Sequence, residues 1–87
     1  MLDVRPSPIA GTWYEGNAKT LARSIDEYIN NAQLPELNGE VLGVIAPHAG
    51  HKYSGAVAGY AFSALRSRTV DVVAVISPFH NHARYPL

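Results

Sequence analysis

The sequence predicts an α/β fold: a partial parallel sheet in the order helix, strand, helix, strand, with the last three elements forming one βαβ unit. Three observations lead there. Two short runs, residues 41–46 and 70–76, are nearly continuous in apolar and β-branched residues, the pattern of strands covered on both faces. Before and between them, apolar residues recur at helical spacing. Each run then ends in proline and delivers a histidine, as Val44-Ile45-Ala46-Pro47-His48 and as Val75-Ile76-Ser77-Pro78-Phe79-His80.

Residues 1–16 read as an irregular lead-in punctuated by Pro6, Pro8, Gly11 and Gly16, with Trp13 expected to anchor it to the rest. Asn17 is a suitable N-cap, and Leu21, Ile25, Tyr28, Ile29 and Ala32 follow on one helical face. Lys19, Arg23, Asp26, Glu27 and Asn30 fill the other, so an amphipathic helix is expected to end near Gln33, ahead of Pro35. Asn38-Gly39 predicts a turn. The first strand is expected over Val41 to Ala46. Ser54 could cap a second helix running to about Arg66, whose first turns hold Gly55, Ala56, Ala58 and Gly59. Such small residues let a helix approach its neighbour closely, at a cost in intrinsic helix stability. The second strand is expected over Val70 to Ile76, with Asp71 at its start. A crossover of this kind is almost always right-handed and makes its strands parallel. Two strands are fewer than such a sheet normally holds, so residues 1–87 read as one domain, the opening of a larger doubly wound one.

Composition narrows the function classes. Seven Lys and Arg balance seven Asp and Glu, which leaves no basic footprint for nucleic acid or an anionic membrane. There is no cysteine, hence no disulfide and no thiolate ligand or nucleophile. The first residues lack the apolar centre of a signal peptide, and no run approaches the roughly 20 apolar residues that span a bilayer. A cytoplasmic protein is expected.

The two histidines carry the functional signal. In α/β proteins, ligands collect beyond the carboxyl ends of parallel strands. Proline ends a strand because it has no N–H to donate, and Gly50 frees the chain to turn into the next helix. If the strands are neighbours, His48 and His80 lie at one end of the sheet and could share a metal ion or act as acid and base. Against this stands the ordinary fate of a loop histidine, solvation or a local hydrogen bond. His51 and His82 fit hydrogen bonding or exposure better than ligation. A triad of Ser54, His48 and Asp71 is rejected, because Asp71 belongs at the opposite end of its strand from His80. No phosphate-binding glycine fingerprint is present.

Three blocks carry a resemblance: Ala10-Gly11-Thr12-Trp13-Tyr14, then Ile45-Ala46-Pro47-His48-Ala49-Gly50-His51-Lys52-Tyr53-Ser54-Gly55, then Ile76-Ser77-Pro78-Phe79-His80-Asn81. Together they resemble the Memo family, whose microbial members are often labelled AmmeMemoRadiSam system protein B. The resemblance covers essentially the whole chain and corresponds to the amino-terminal portion of a Memo-like domain. Family members resemble the LigB subunit of class III extradiol dioxygenases, non-haem iron enzymes, which implies an α/β fold with its site at the strand ends. It also implies that His48 and His80 are metal ligands, with iron or copper as the metal and a radical-SAM system protein as a partner. Phe79 replaces the polar residue usual in the third block. The family's remaining site residues, a cysteine, an aspartate and another histidine, come from later sequence and have no match here.

The leading expectation is therefore a Memo-like metal-binding protein, with redox or dioxygenase-like chemistry, of which this chain supplies two histidine ligands. The alternative is a non-catalytic scaffold that recognises a peptide or small ligand at the same strand-end pocket. A metal-free hydrolase ranks last, since no activated nucleophile is visible. Unpaired strand edges also predict self-association of the chain.

Overall fold

A computed structural model describes residues 3–78. Two helices organise them: α1, Ala18–Asn31, and α2, His51–Ser63. Helix α1 begins as the spacing predicts. Asn17 is extended, with φ −89° and ψ 127°, and its Oδ1 accepts from the Thr20 amide at 3.0 Å. That bond satisfies one of the donors a helix start leaves open. The helix stops two residues before Gln33, where Ala32 turns extended with ψ 127°.

Helix α2 departs from expectation at its start. It begins at His51, with Gly50 at the cap position, rather than at Ser54. The physical reason lies in the lead-in. The His51 amide, an open donor of the first turn, donates to the Trp13 carbonyl at 2.7 Å, so the helix can begin there without a side-chain cap. Ser54 is instead buried inside the helix, and its Oγ donates back to the Ala49 carbonyl at 2.9 Å. Past Ser63 the chain tightens into turns closed by Leu65 to Phe62, Arg66 to Ser63 and Arg68 to Leu65 amide–carbonyl bonds.

The small residues of α2 do what their size allows. A β-carbon on Gly55 would lie 2.5 Å from the Tyr28 ring, and one on Gly59 would lie 2.6 Å from the Tyr28 carbonyl oxygen. Helix α2 thus presses its glycine stripe onto α1 at Tyr28. An Arg66 guanidinium bond to Asn30 Oδ1 joins the far ends of the two helices.

The sheet is a correction. Neither 41–46 nor 70–76 forms a strand, and the β-type pairing among the described residues is an isolated bridge between Ala10 and Tyr14. A strand is stable only through a partner's ladder and a covered face, and these runs have neither here. Ile45 is 98% exposed and Ile76 96%. The turn at Asn38-Gly39 is present, with Gly39 at φ 86°, the left-handed region that glycine tolerates. Among the described residues no hydrophobic side chain is buried. The Cα radius of gyration, 15.3 Å, exceeds the roughly 12 Å of a compact chain of this length. The observed architecture is a helix pair flanked by exposed apolar segments without regular secondary structure, not a βαβ unit.

Candidate functional site

The first histidine block forms a loop held at its α2 end by two contacts. Pro47 and Ala49 flank His48, and Gly50 leads into α2. The Trp13–His51 backbone bond ties the loop's end to the lead-in, while Ser54 Oγ holds the Ala49 carbonyl. The lead-in is itself braced, with Gly11 at φ 87° and its amide donating to the Tyr14 carbonyl at 2.7 Å. Trp13 therefore anchors the lead-in through its backbone, and its indole is half exposed. His48 is exposed at the tip of this loop.

The partner histidine of the sequence argument, His80, lies outside the described residues, as does His82. Among the described residues, no group of three or more His, Cys, Asp or Glu side chains gathers in a way that could hold an ion. Imidazole is a fitting donor for iron, copper, zinc or nickel. Among the described residues, His48 and His51 carry such a ring, and His48 is the exposed one.

Residue spacing alone did not show the feature next to the loop. A cleft of about 490 Å³ runs along α2, bounded by Tyr28 and Ile29 of α1, by Pro47, and by His51, Phe62 and Arg66. Its walls are mainly aliphatic and aromatic. The His51 ring lies against Tyr28, with centroids 5.1 Å apart and planes tilted by 36°. Its Nε2 is buried and makes no hydrogen bond. A spacing signal for this existed: His51, Gly55 and Gly59 are four residues apart, one stripe of a helix, and that stripe faces Tyr28. Two further contacts tie Arg68, ahead of the second apolar run, to the start of the first. Arg68 pairs with Glu40 at 2.9 Å and also donates to the Val41 carbonyl.

Over its described residues the molecule is a glycine-packed helix pair beside a Pro-His-Ala-Gly loop that carries an exposed imidazole. The chain belongs to the Memo-like protein family, whose family model matches residues 5–87 and so takes in all three sequence blocks. It is similar to a MEMO1 family protein of Pyrobaculum aerophilum, 38% identical over 84 residues that cover 88% of this chain and 30% of that one. It is similar to the memo-1 homolog of Caenorhabditis elegans, 37% identical over 76 residues, covering 87% and 21% respectively. A MEMO1 family protein of Saccharomyces cerevisiae is 30% identical over 83 residues, covering 92% and 24%. The chain therefore spans less than a third of the length of these relatives. No solved structure matches it. No helix among the described residues is long and apolar enough to cross a membrane.

Proposed function

We propose that the chain is the histidine-bearing part of a Memo-type metal-binding protein, with His48 and His80 as ligands to iron or copper. The observation that supports this most is the braced loop. Trp13 and Ser54 fix the chain on the α2 side of His48, so an exposed imidazole is held in place rather than left on a floppy tip. Fixing a ligand beforehand lowers the ordering cost of binding. Two neutral imidazoles suit non-haem iron once an anionic ligand joins them. A bound iron or copper would supply electron-transfer or oxygen chemistry. This chain's own residues would bind and orient it, and a radical-SAM system protein is the proposed partner.

The test is an anaerobic titration of Fe(II), and separately of copper, into the full chain and its His48→Ala and His80→Ala variants. Saturable uptake of one ion per chain, lost in both variants, is the expected result. Uptake indifferent to both substitutions, or none at all, would overturn the proposal.

The cleft favours a second reading, a scaffold that recognises a peptide without chemistry. It begins at Pro47, next to His48, and is more than large enough for several apolar side chains. Partner capture that survives a chelator and is lost on narrowing the cleft would select this reading over the first.

A further inference from the structure

We infer that Gly11 is a positioning residue for His48: its left-handed backbone aims the Trp13 carbonyl that caps α2 from outside and so fixes the end of the His48 loop. The consequence for a metal rests on His48 being a ligand, whereas the cap itself does not.

The contacts run outward from one dihedral angle. The Thr12 amide donates to the Ile9 carbonyl at 3.1 Å, which closes a turn over residues 9–12. Gly11 is the third residue of that turn and has φ 87°. A positive φ at this position belongs to a type II turn, where glycine or asparagine is needed. Other L-residues bring their β-carbon too close to their own backbone at such angles. Two more bonds tighten the turn: the Trp13 amide donates to the same Ile9 carbonyl at 2.9 Å, and the Gly11 amide to the Tyr14 carbonyl at 2.7 Å. The Trp13 amide and the Tyr14 carbonyl are thus engaged within the turn. The Trp13 carbonyl between them is the group that reaches α2, accepting from the His51 amide at 2.7 Å.

That acceptor matters because α2 is not capped by its own cap residue. Gly50 stands there, and no side-chain hydrogen bond closes the helix start. An amide of the first turn has no acceptor inside its own helix. For His51 the acceptor comes from the lead-in, and the helix start fixed in this way follows directly on His48-Ala49-Gly50. A β-carbon on Gly11 would meet nothing within 4 Å, so the dihedral angle excludes a side chain there and space does not. Gly11→Ala therefore strains the turn alone. Gly11→Asn adds more bulk but visits the left-handed region, so it should rescue the turn.

The test is amide hydrogen exchange and backbone nitrogen relaxation on the full chain and on its Gly11→Ala and Gly11→Asn variants, with Fe(II) uptake measured alongside. The His51 amide of the unmodified chain should be protected, although it opens a helix. In Gly11→Ala it should exchange about tenfold faster, and His48 and Ala49 should gain fast backbone motion. The Leu21 amide of α1, bonded to the Asn17 carbonyl, should keep its rate. Gly11→Asn should restore both the protection and the order, and Fe(II) uptake should weaken and recover in step. An unprotected His51 amide in the unmodified chain would overturn the inference. So would exchange or motion indifferent to Gly11→Ala, equal loss of protection at Leu21, or damage by Gly11→Asn as large as by Gly11→Ala. No Fe(II) uptake by the unmodified chain would remove the metal reading, and exchange and motion at 48–51 would still decide the role of Gly11.

Discussion

The carbonyl oxygen of Tyr28 lies 2.6 Å from the point where a β-carbon on Gly59 would be. Two helices meet there with no room for a methyl group, and the obstacle is backbone rather than a side chain that could swing aside. Gly59→Ala is expected to destabilise the helix pair. Alanine gains about 1 kcal/mol of helix propensity over glycine, while overpacking costs about 1–3 kcal/mol, so the clash wins. Gly43→Ala, with open space around it and an ordinary φ, should be near neutral. Urea unfolding followed by circular dichroism checks both. A stabilised Gly59→Ala chain would mean that the helices do not meet as described.

Asn17→Ala should cost about 1 kcal/mol by removing the cap bond to Thr20. Asn17→Asp keeps an acceptor at the same place and should leave helix content nearly intact. The comparison separates a capping role from a general effect of changing the residue, and the helical signal of the two variants at one temperature measures it.

Both of these features were legible in the sequence because they are local. Asn17 announces a helix start through its neighbours alone, and the Gly55–Gly59 spacing announces a close approach. The start of α2 was not legible, since it depends on Trp13 lending a carbonyl to the His51 amide across 38 positions of sequence. The strands were misjudged for the opposite reason. Apolar, β-branched runs such as Val72-Val73-Ala74-Val75-Ile76 report a preference for a pleated, covered environment, not the presence of one. Without a paired ladder they form no strand and stay exposed. Around His48, the loop itself could be read from Pro47 and Gly50. The cleft could not, because its two walls come from helices 20 residues apart in the chain.

Arg68 should matter more than the carboxylate it pairs with. Glu40 is 70% exposed at its side chain, and an exposed ion pair contributes about 0–1 kcal/mol. Glu40→Gln is therefore expected to change stability by less than about 0.5 kcal/mol. Arg68→Ala also removes the bond to the Val41 carbonyl and should cost about 1 kcal/mol. Parallel denaturation curves distinguish the two, and equal losses would show that the ion pair alone acts.

Metal removal should leave the helices in place. The contacts between α1 and α2 run through Tyr28, Gly55 and Gly59, and His48 lies outside both helices. This differs from small domains whose folding depends on the ion. Adding a chelator to the loaded chain is expected to release the metal with no loss of helical signal. Concerted loss of both would place the ion among the elements that hold the pair together.

His51→Leu is expected to stabilise the chain. Nε2 is buried without a hydrogen bond, and such a group costs about 1–3 kcal/mol. Leucine keeps apolar contact with Tyr28 and removes the polar atom, so the variant should gain about 1 kcal/mol, read by urea denaturation. A loss of stability would show that the imidazole itself, through its ring contact with Tyr28, holds the helix pair together.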